Sequence, residues 1–199
     1  IRFLNRSTGK VRTGIGAGRQ DVNVSCRGGT RVEIKGVAHT KWIPELTHNE
    51  CFRQWALLQI RKDLNRHIPE PGRWAIEHSE LDIKQHNFRF APITQAFREK
   101  KKVVAVKLPG FRGILSHFTQ PGKVFANEIS DRLQVIACLD QPNMIHSEEF
   151  KSTIPEKEWK RINKLLKAKD DDAQVVFWGP EDDISTALET IEERCQMAF

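Results

Sequence analysis

Two carboxylates, an amide and three cations stand at alternate positions within RQDVNVSCRGGTRVEIKG, residues 19–36. Asp21, Asn23 and Ser25 alternate with Val22, Val24 and Cys26, and Arg31, Glu33 and Lys35 alternate with Val32 and Ile34. The carboxylates of Asp21 and Glu33 are hard oxygen donors of the kind that suits Mg²⁺. Arg19 and Arg31 offer planar forks that match phosphate oxygens, and Lys35 offers a point charge. The types together suit a metal–nucleotide site.

Two strands must position these groups. Period-two alternation with β-branched residues predicts strands on either side of Arg27-Gly28-Gly29-Thr30, and the Gly-Gly fits a hairpin turn because glycine takes φ > 0 without strain. If Val22, Val24, Val32 and Ile34 are buried together, the register is fixed and the two polar sets share a face. A solvated polar face is the ordinary alternative for an antiparallel hairpin. Asp and Asn are depleted in strands, however, so finding both at alternate positions favours a site.

The charge distribution points the same way. The net charge is +6, but residues 1–68 hold thirteen Lys/Arg against five Asp/Glu, a net of +8, and residues 69–199 hold nineteen against twenty-one, a net of −2. Nine of those thirteen cations are Arg. A basic, Arg-rich first third suits a polyanion. Four cysteines occur without a C-x-x-C pair or zinc-finger spacing to His, which argues against zinc. Cys26 and Cys195 read as small core residues of a reducing compartment, the cytoplasm. No run is apolar enough to span a bilayer, and the first residues given carry no signal-peptide pattern. GKVRTGIGAG (9–18) lacks both the Walker A and the dinucleotide spacing, and reads as a loop leading into the hairpin.

Further along, 44–68 predicts a helix with Leu57, Ile60, Leu64 and Ile68 on one stripe, extended by Phe52 and Trp55, and with Arg53, Arg61, Lys62 and Arg66 on the other side. PEPGRW (69–74) breaks it and suggests a domain boundary near 69–73. Helices are expected over 93–102, 155–167 and 181–197, an amphipathic segment over 125–139, and apolar strands over 103–108 and 173–178. That pattern gives a small two-layer α/β domain built on Val104, Val106, Val175, Phe177, Ile184, Leu188 and Ile191. The fold class is α+β.

The residues RSTGKVRTGIGAGRQDVNVS…GGTRVEIKG resemble the amidotransferase B/E family, the catalytic subunits of tRNA-dependent amidotransferases. Arg19–Ser25 and Arg31–Lys35 look like two strands of that family's cradle domain. VVAVKLPGFRGIL followed by PGKVFANEISD resembles the insertion (GAD) domain that its E-type branch shares with bacterial aspartyl-tRNA synthetases. The resemblance thus implies the end of a cradle domain over 1–70 and the insertion domain over 80–199. The family's usual approach to the motif is G-x-I-R-Q-D, where this chain has Gly16-Ala17-Gly18-Arg19.

The resemblance implies an ATP- and Mg²⁺-dependent ligase acting on misacylated Glu-tRNA(Gln). The glutamyl carboxylate is phosphorylated, then amidated with ammonia from an asparaginase-like partner subunit. In that reading Asp21, Glu33 and Lys35 are catalytic, with Asp21 and Glu33 as Mg²⁺ ligands. Arg19, Asn23 and Arg31 bind the cofactor, Asn23 through a neutral hydrogen bond. The chain is expected to be a fragment, inactive alone, with other cradle residues upstream and tRNA-gripping domains downstream. The alternative is a non-catalytic tRNA- or protein-binding insertion module related to the synthetases.

Overall fold

The computed structural model describes residues 2–12, 14 and 18–199. Within the glycine-rich segment 9–18, positions 13 and 15–17, including Gly16 and Ala17, lie outside the described residues. Helices and antiparallel sheets make up the chain, as the α+β expectation has it. It divides into two compact units, Ile1–Leu58 with Thr119–Pro121, and Gln59–Phe118 with Gly122–Phe199.

The first unit contains helix α1 (Arg2–Thr8), strands β1 (Gln20–Val24) and β2 (Val32–Val37), and the first part of α2 (Ile43–His67). The division falls inside α2, whereas the helix break that suggested a boundary lies within the second unit. The helix itself stops where the sequence requires it. His67 is its last residue, and Ile68 precedes Pro69, whose ring disfavours the α region for the residue before it. Ala56, Ile60 and Leu64 are buried on α2, Leu57 is half-buried, and Trp55 is 51 % exposed rather than part of the apolar stripe.

The remaining elements follow in chain order: β3 (Glu77–Glu80), α3 (Ala91–Arg98), β4 (Lys102–Leu108), β5 (Phe118–Gln120), β6 (Lys123–Val124), α4 (Phe125–Ile136), β7 (Met144–His146), α5 (Glu156–Leu165), β8 (Ala173–Gly179) and α6 (Ile184–Gln196). The second unit is organised by an antiparallel sheet of order β3-β4-β8-β7, with Val104 opposite Phe177 and Ala105 opposite Val176. β8 is buried along its whole length, so both faces of the sheet are covered. Val103, Ala105, Ile145, Val176 and Trp178 pack with Ile93 and Ala96 of α3 and Trp159 and Ile162 of α5. Val104, Val106, Val175 and Phe177 are buried on the opposite face. Helices α4 and α6 pack together, with Ile129, Leu133, Ala187 and Ile191 inside.

The expected inward stripe of α6 shifts slightly: Ile184 and Leu188 are only half-buried. The buried side of α6 instead includes Thr190 and Arg194, both polar and both satisfied. Thr190 donates its hydroxyl to the Thr186 carbonyl at 2.7 Å, and Arg194 pairs with Glu128. A polar residue with a partner can occupy core positions that periodicity assigns to apolar ones.

Candidate functional site: the polar face of the β1–β2 hairpin

Val22 lies opposite Ile34, Asn23 opposite Glu33 and Val24 opposite Val32. Directly opposed residues share a face, so Asn23 and Glu33 do, and alternation adds Asp21 and Lys35. The apolar set faces the other way, with Val24 buried and Val22, Val32 and Ile34 half-buried. The register that brings the two polar sets together is therefore present. Asp21, Asn23, Glu33 and Lys35 are all exposed.

The base of this face is shaped by a bulge. Between the pairs Gln20–Val37 and Val22–Ile34, β2 carries one residue more than β1. Gly36 lies in that interval at φ +73°, the left-handed conformation of a bulge glycine. Its N–H donates to Asp21 Oδ1 at 3.0 Å. One oxygen of Asp21 is thus committed to holding the bulge, and the other is left over. Lys35 Nζ lies 3.6 Å from Glu33 Oε2. Lys35 is 73 % exposed, so this pair adds little to stability. Arg19 is exposed beside the bulge, where a Cβ on Gly36 would sit 3.8 Å from its Cδ. Arg31 is exposed one residue before β2 begins.

The strands are shorter than the alternation suggests. They end at Val24 and restart at Val32, so Ser25 and Arg31 fall in the connection and the turn is not a two-residue one. The connection contains a tight turn closed by Gly29 N–H donating to the Cys26 carbonyl at 3.0 Å. Gly28 occupies the third position of that turn at φ +87°, which a type II turn requires. The strand end itself is held by a residue the sequence pattern does not single out. Gln54 on α2, 6 % exposed, donates from Nε2 to the Val24 carbonyl at 3.1 Å and accepts from Cys26 N–H at 2.9 Å. The available signal was a lone amide among the apolar positions of α2. Cys26 is half-buried rather than a core residue.

The donor set fits part of a Mg²⁺ shell and not all of one. Mg²⁺ takes six oxygens in near-octahedral geometry, and the face offers the carboxylates of Asp21 and Glu33 with the Asn23 amide beside them. Among the described residues no group of three or more His, Cys, Asp or Glu side chains converges for a metal. The cations flanking the carboxylates, Arg19, Arg31 and Lys35, suit phosphate oxygens.

Residues 1–170 match the family described as the GatB/GatE catalytic domain, and the chain belongs to that family. The match includes the whole hairpin and runs into the second unit. Similar proteins include the E-type subunit of glutamyl-tRNA(Gln) amidotransferase from Methanocaldococcus jannaschii, 35 % identical over all of this chain and 31 % of the relative. The corresponding protein of Sulfurisphaera tokodaii is 31 % identical over all of this chain and 32 % of its own length. That of Pyrococcus furiosus is 34 % identical over 98 % of this chain and 30 % of its own length. The chain therefore spans about a third of the curated relatives it matches. No helix among the described residues is long and apolar enough to cross a membrane.

Proposed function

We propose that this chain is part of the catalytic subunit of a cytoplasmic Glu-tRNA(Gln) amidotransferase, a ligase that amidates glutamate carried on tRNA(Gln), and that the hairpin's polar face forms one wall of its active site. The observation that carries this reading is the register placing Asn23 opposite Glu33, which gathers Asp21, Asn23, Glu33 and Lys35 on one face. In that role Asp21 and Glu33 would hold Mg²⁺ through their carboxylates. Lys35, Arg19 and Arg31 neutralise phosphate charge, and Asn23 donates a neutral hydrogen bond. Lys35, now beside Glu33, exchanges that exposed contact for phosphate at little cost, because such pairs are weak. ATP, when bound, supplies the phosphoryl group that makes the glutamyl carboxylate electrophilic. Positioning and charge neutralisation are the main protein contributions to phosphoryl transfer, and a rigid strand pair suits both.

The remainder of the assembly is inferred from the family. Ammonia comes from an asparaginase-like partner subunit, and residues 80–199, most of which fall in the second unit, are the aspartyl-tRNA-synthetase-like insertion (GAD) domain. The test is ATP binding to the intact subunit with and without Mg²⁺. Asp21→Ala and Glu33→Ala should each remove the Mg²⁺-dependent component. Unchanged Mg²⁺-dependent binding in both would leave the hairpin a solvated structural element and the chain a binding module.

A further inference from the structure

Gln54 makes three hydrogen bonds from a buried position, and two of them hold the backbone at the point where β1 leaves β2. Its Oε1 accepts from Cys26 N–H at 2.9 Å, and its Nε2 donates to the Val24 carbonyl at 3.1 Å. The second Nε2 proton goes to Glu50 Oε1 at 3.0 Å, one turn back on α2. The amide thus reads a donor and an acceptor two residues apart on one strand edge, much as a neighbouring strand would. Its carbonyl and its amine cannot be exchanged without placing two donors or two acceptors together. The turn is fitted closely around it. A Cβ at Gly29 would lie 2.8 Å from Gln54 Oε1 and 3.2 Å from Cys26 Sγ.

The two anchored residues adjoin the polar face. Val24 follows Asn23 and lies opposite Val32, which precedes Glu33. A shift of the Val24 carbonyl against α2 therefore displaces Asn23 and Glu33 together. At its other end the hairpin is held by Asp21 on the bulge at Gly36. Gln54 is the side chain of α2 that fixes the near end. Misplacement by about 1 Å of groups that position a reacting centre is enough to lower turnover about a hundredfold.

We propose that Gln54 is a positioning residue for amide formation, fixing the height of β1 on α2 so that the polar face meets the nucleotide in register. It rests on the reading of that face as part of the amidotransferase site. The role is distinct from simple stabilisation, because the hairpin has its own ladder and buries Val24 and Val37. Gln54 touches no reacting group, and its effect is carried by Asn23 and Glu33.

The experiment uses the full-length subunit assembled with its ammonia-supplying partner, and measures kcat, KM for ATP, tRNA affinity and thermal midpoint. Gln54→Glu puts a carboxylate against that of Glu50 and removes the donor to Val24. It should lower kcat at least tenfold and lower the thermal midpoint, with tRNA affinity within twofold of normal. Adding Glu50→Gln removes the repulsion between the two carboxylates and supplies an amide to the new one, at the cost of the Glu50 charge 3.8 Å from Arg53 Nη1, so the thermal midpoint should recover in part. The Val24 carbonyl still lacks its donor, so kcat should stay low. Recovery of kcat in step with the thermal midpoint would reduce Gln54 to a stabilising residue and overturn the proposal. So would a kcat within twofold of normal in Gln54→Glu. If that variant does not assemble, Gly29→Ala decides. It keeps every bonding group but displaces Gln54 Oε1, and should lower kcat severalfold; an unchanged kcat overturns the proposal. Glu33→Gln run alongside separates the two ideas. Normal turnover there removes the site reading, whereas a dead Glu33→Gln beside a normal Gln54→Glu removes the positioning role alone.

Discussion

Glu128 and Arg194 join α4 to α6 in the second unit through a buried ion pair, and cutting it from one side should cost a large part of that unit's stability. Glu128 Oε2 accepts from Arg194 Nη2 at 2.6 Å and from Nε at 3.2 Å. The side chains are only 4 % and 10 % exposed for Arg194 and Glu128, and the guanidinium lies 4.3 Å above the Phe125 ring. Glu128→Leu removes the carboxylate and leaves the guanidinium buried against an aromatic ring. Removal of one member of a buried pair costs about 3–5 kcal/mol. At roughly 2–4 °C per kcal/mol for a chain of this size, the thermal midpoint should fall by roughly 6–20 °C. Glu128→Leu with Arg194→Met replaces the pair by apolar groups of similar volume, and such swaps are often neutral or stabilising. Calorimetry together with urea unfolding followed by far-ultraviolet circular dichroism gives both numbers. A loss of less than about 1 kcal/mol in the single variant would contradict the reasoning. So would a double variant no more stable than the single one.

Two further outcomes follow from burial. It pushes the Cys195 thiol far above its ordinary range, whereas Cys138 is exposed. A thiol reagent at pH 8 should therefore modify Cys138 in the native chain and Cys195 only after denaturation. Rapid native labelling of Cys195 would contradict its placement. Burial also holds His146 below its ordinary value of 6.5, against the opposing pull of Glu149 and Glu148, and its Nδ1 accepts the Glu148 N–H at 3.3 Å. The unfolded chain then takes up the proton first. The stability contributed by neutral His146 is present above pH about 6.5 and is lost as pH falls through the lower folded value. His146→Gln should flatten the stability profile below pH about 6.5, and an NMR titration showing His146 protonated above that value would refute the sign.

The parts of the fold that were legible in the sequence are those where one physical signal dominates. The runs VVAVKL and AQVVFW are apolar at consecutive positions because β4 and β8 are buried on both faces, and each became a central strand. The hairpin register was legible for the opposite reason, since four β-branched residues at alternate positions leave only one pairing that buries them together. Strand β3, Glu77–Glu80, gave no such signal. It is a polar edge strand, EHSE, held by backbone bonds to β4, with Lys107 pairing with Glu77 across it. Strand β7 is only three residues long, and its identity comes from lying beside β8.

In the candidate site, residue types and spacing gave the shared face but not what anchors it. The bulge depends on Gly36 adopting φ +73° and on Asp21 accepting its N–H, a contact between residues fifteen positions apart. The strand end is held by Gln54, thirty positions from Val24, and no local pattern announces such a bond. Trp55 was misassigned because apolar character alone does not say which side of α2 is covered. The polar residues of the core, Arg194, Glu128, Thr190 and the His86–Glu158 pair at 3.2 Å, are likewise visible only once their partners are in place.

The most direct test of the central claim is single-turnover amidation by the complete subunit and its partner with Glu33→Gln, a change that keeps the shape of the side chain and removes its charge. Glu33 lies on the same face as Asn23, beside Lys35, in a strand whose pairing does not depend on its carboxylate. ATP-dependent formation of Gln-tRNA(Gln) should be abolished while tRNA binding and thermal stability stay close to normal. Near-normal turnover in Glu33→Gln would contradict the claim and leave the polar face of the hairpin to solvent.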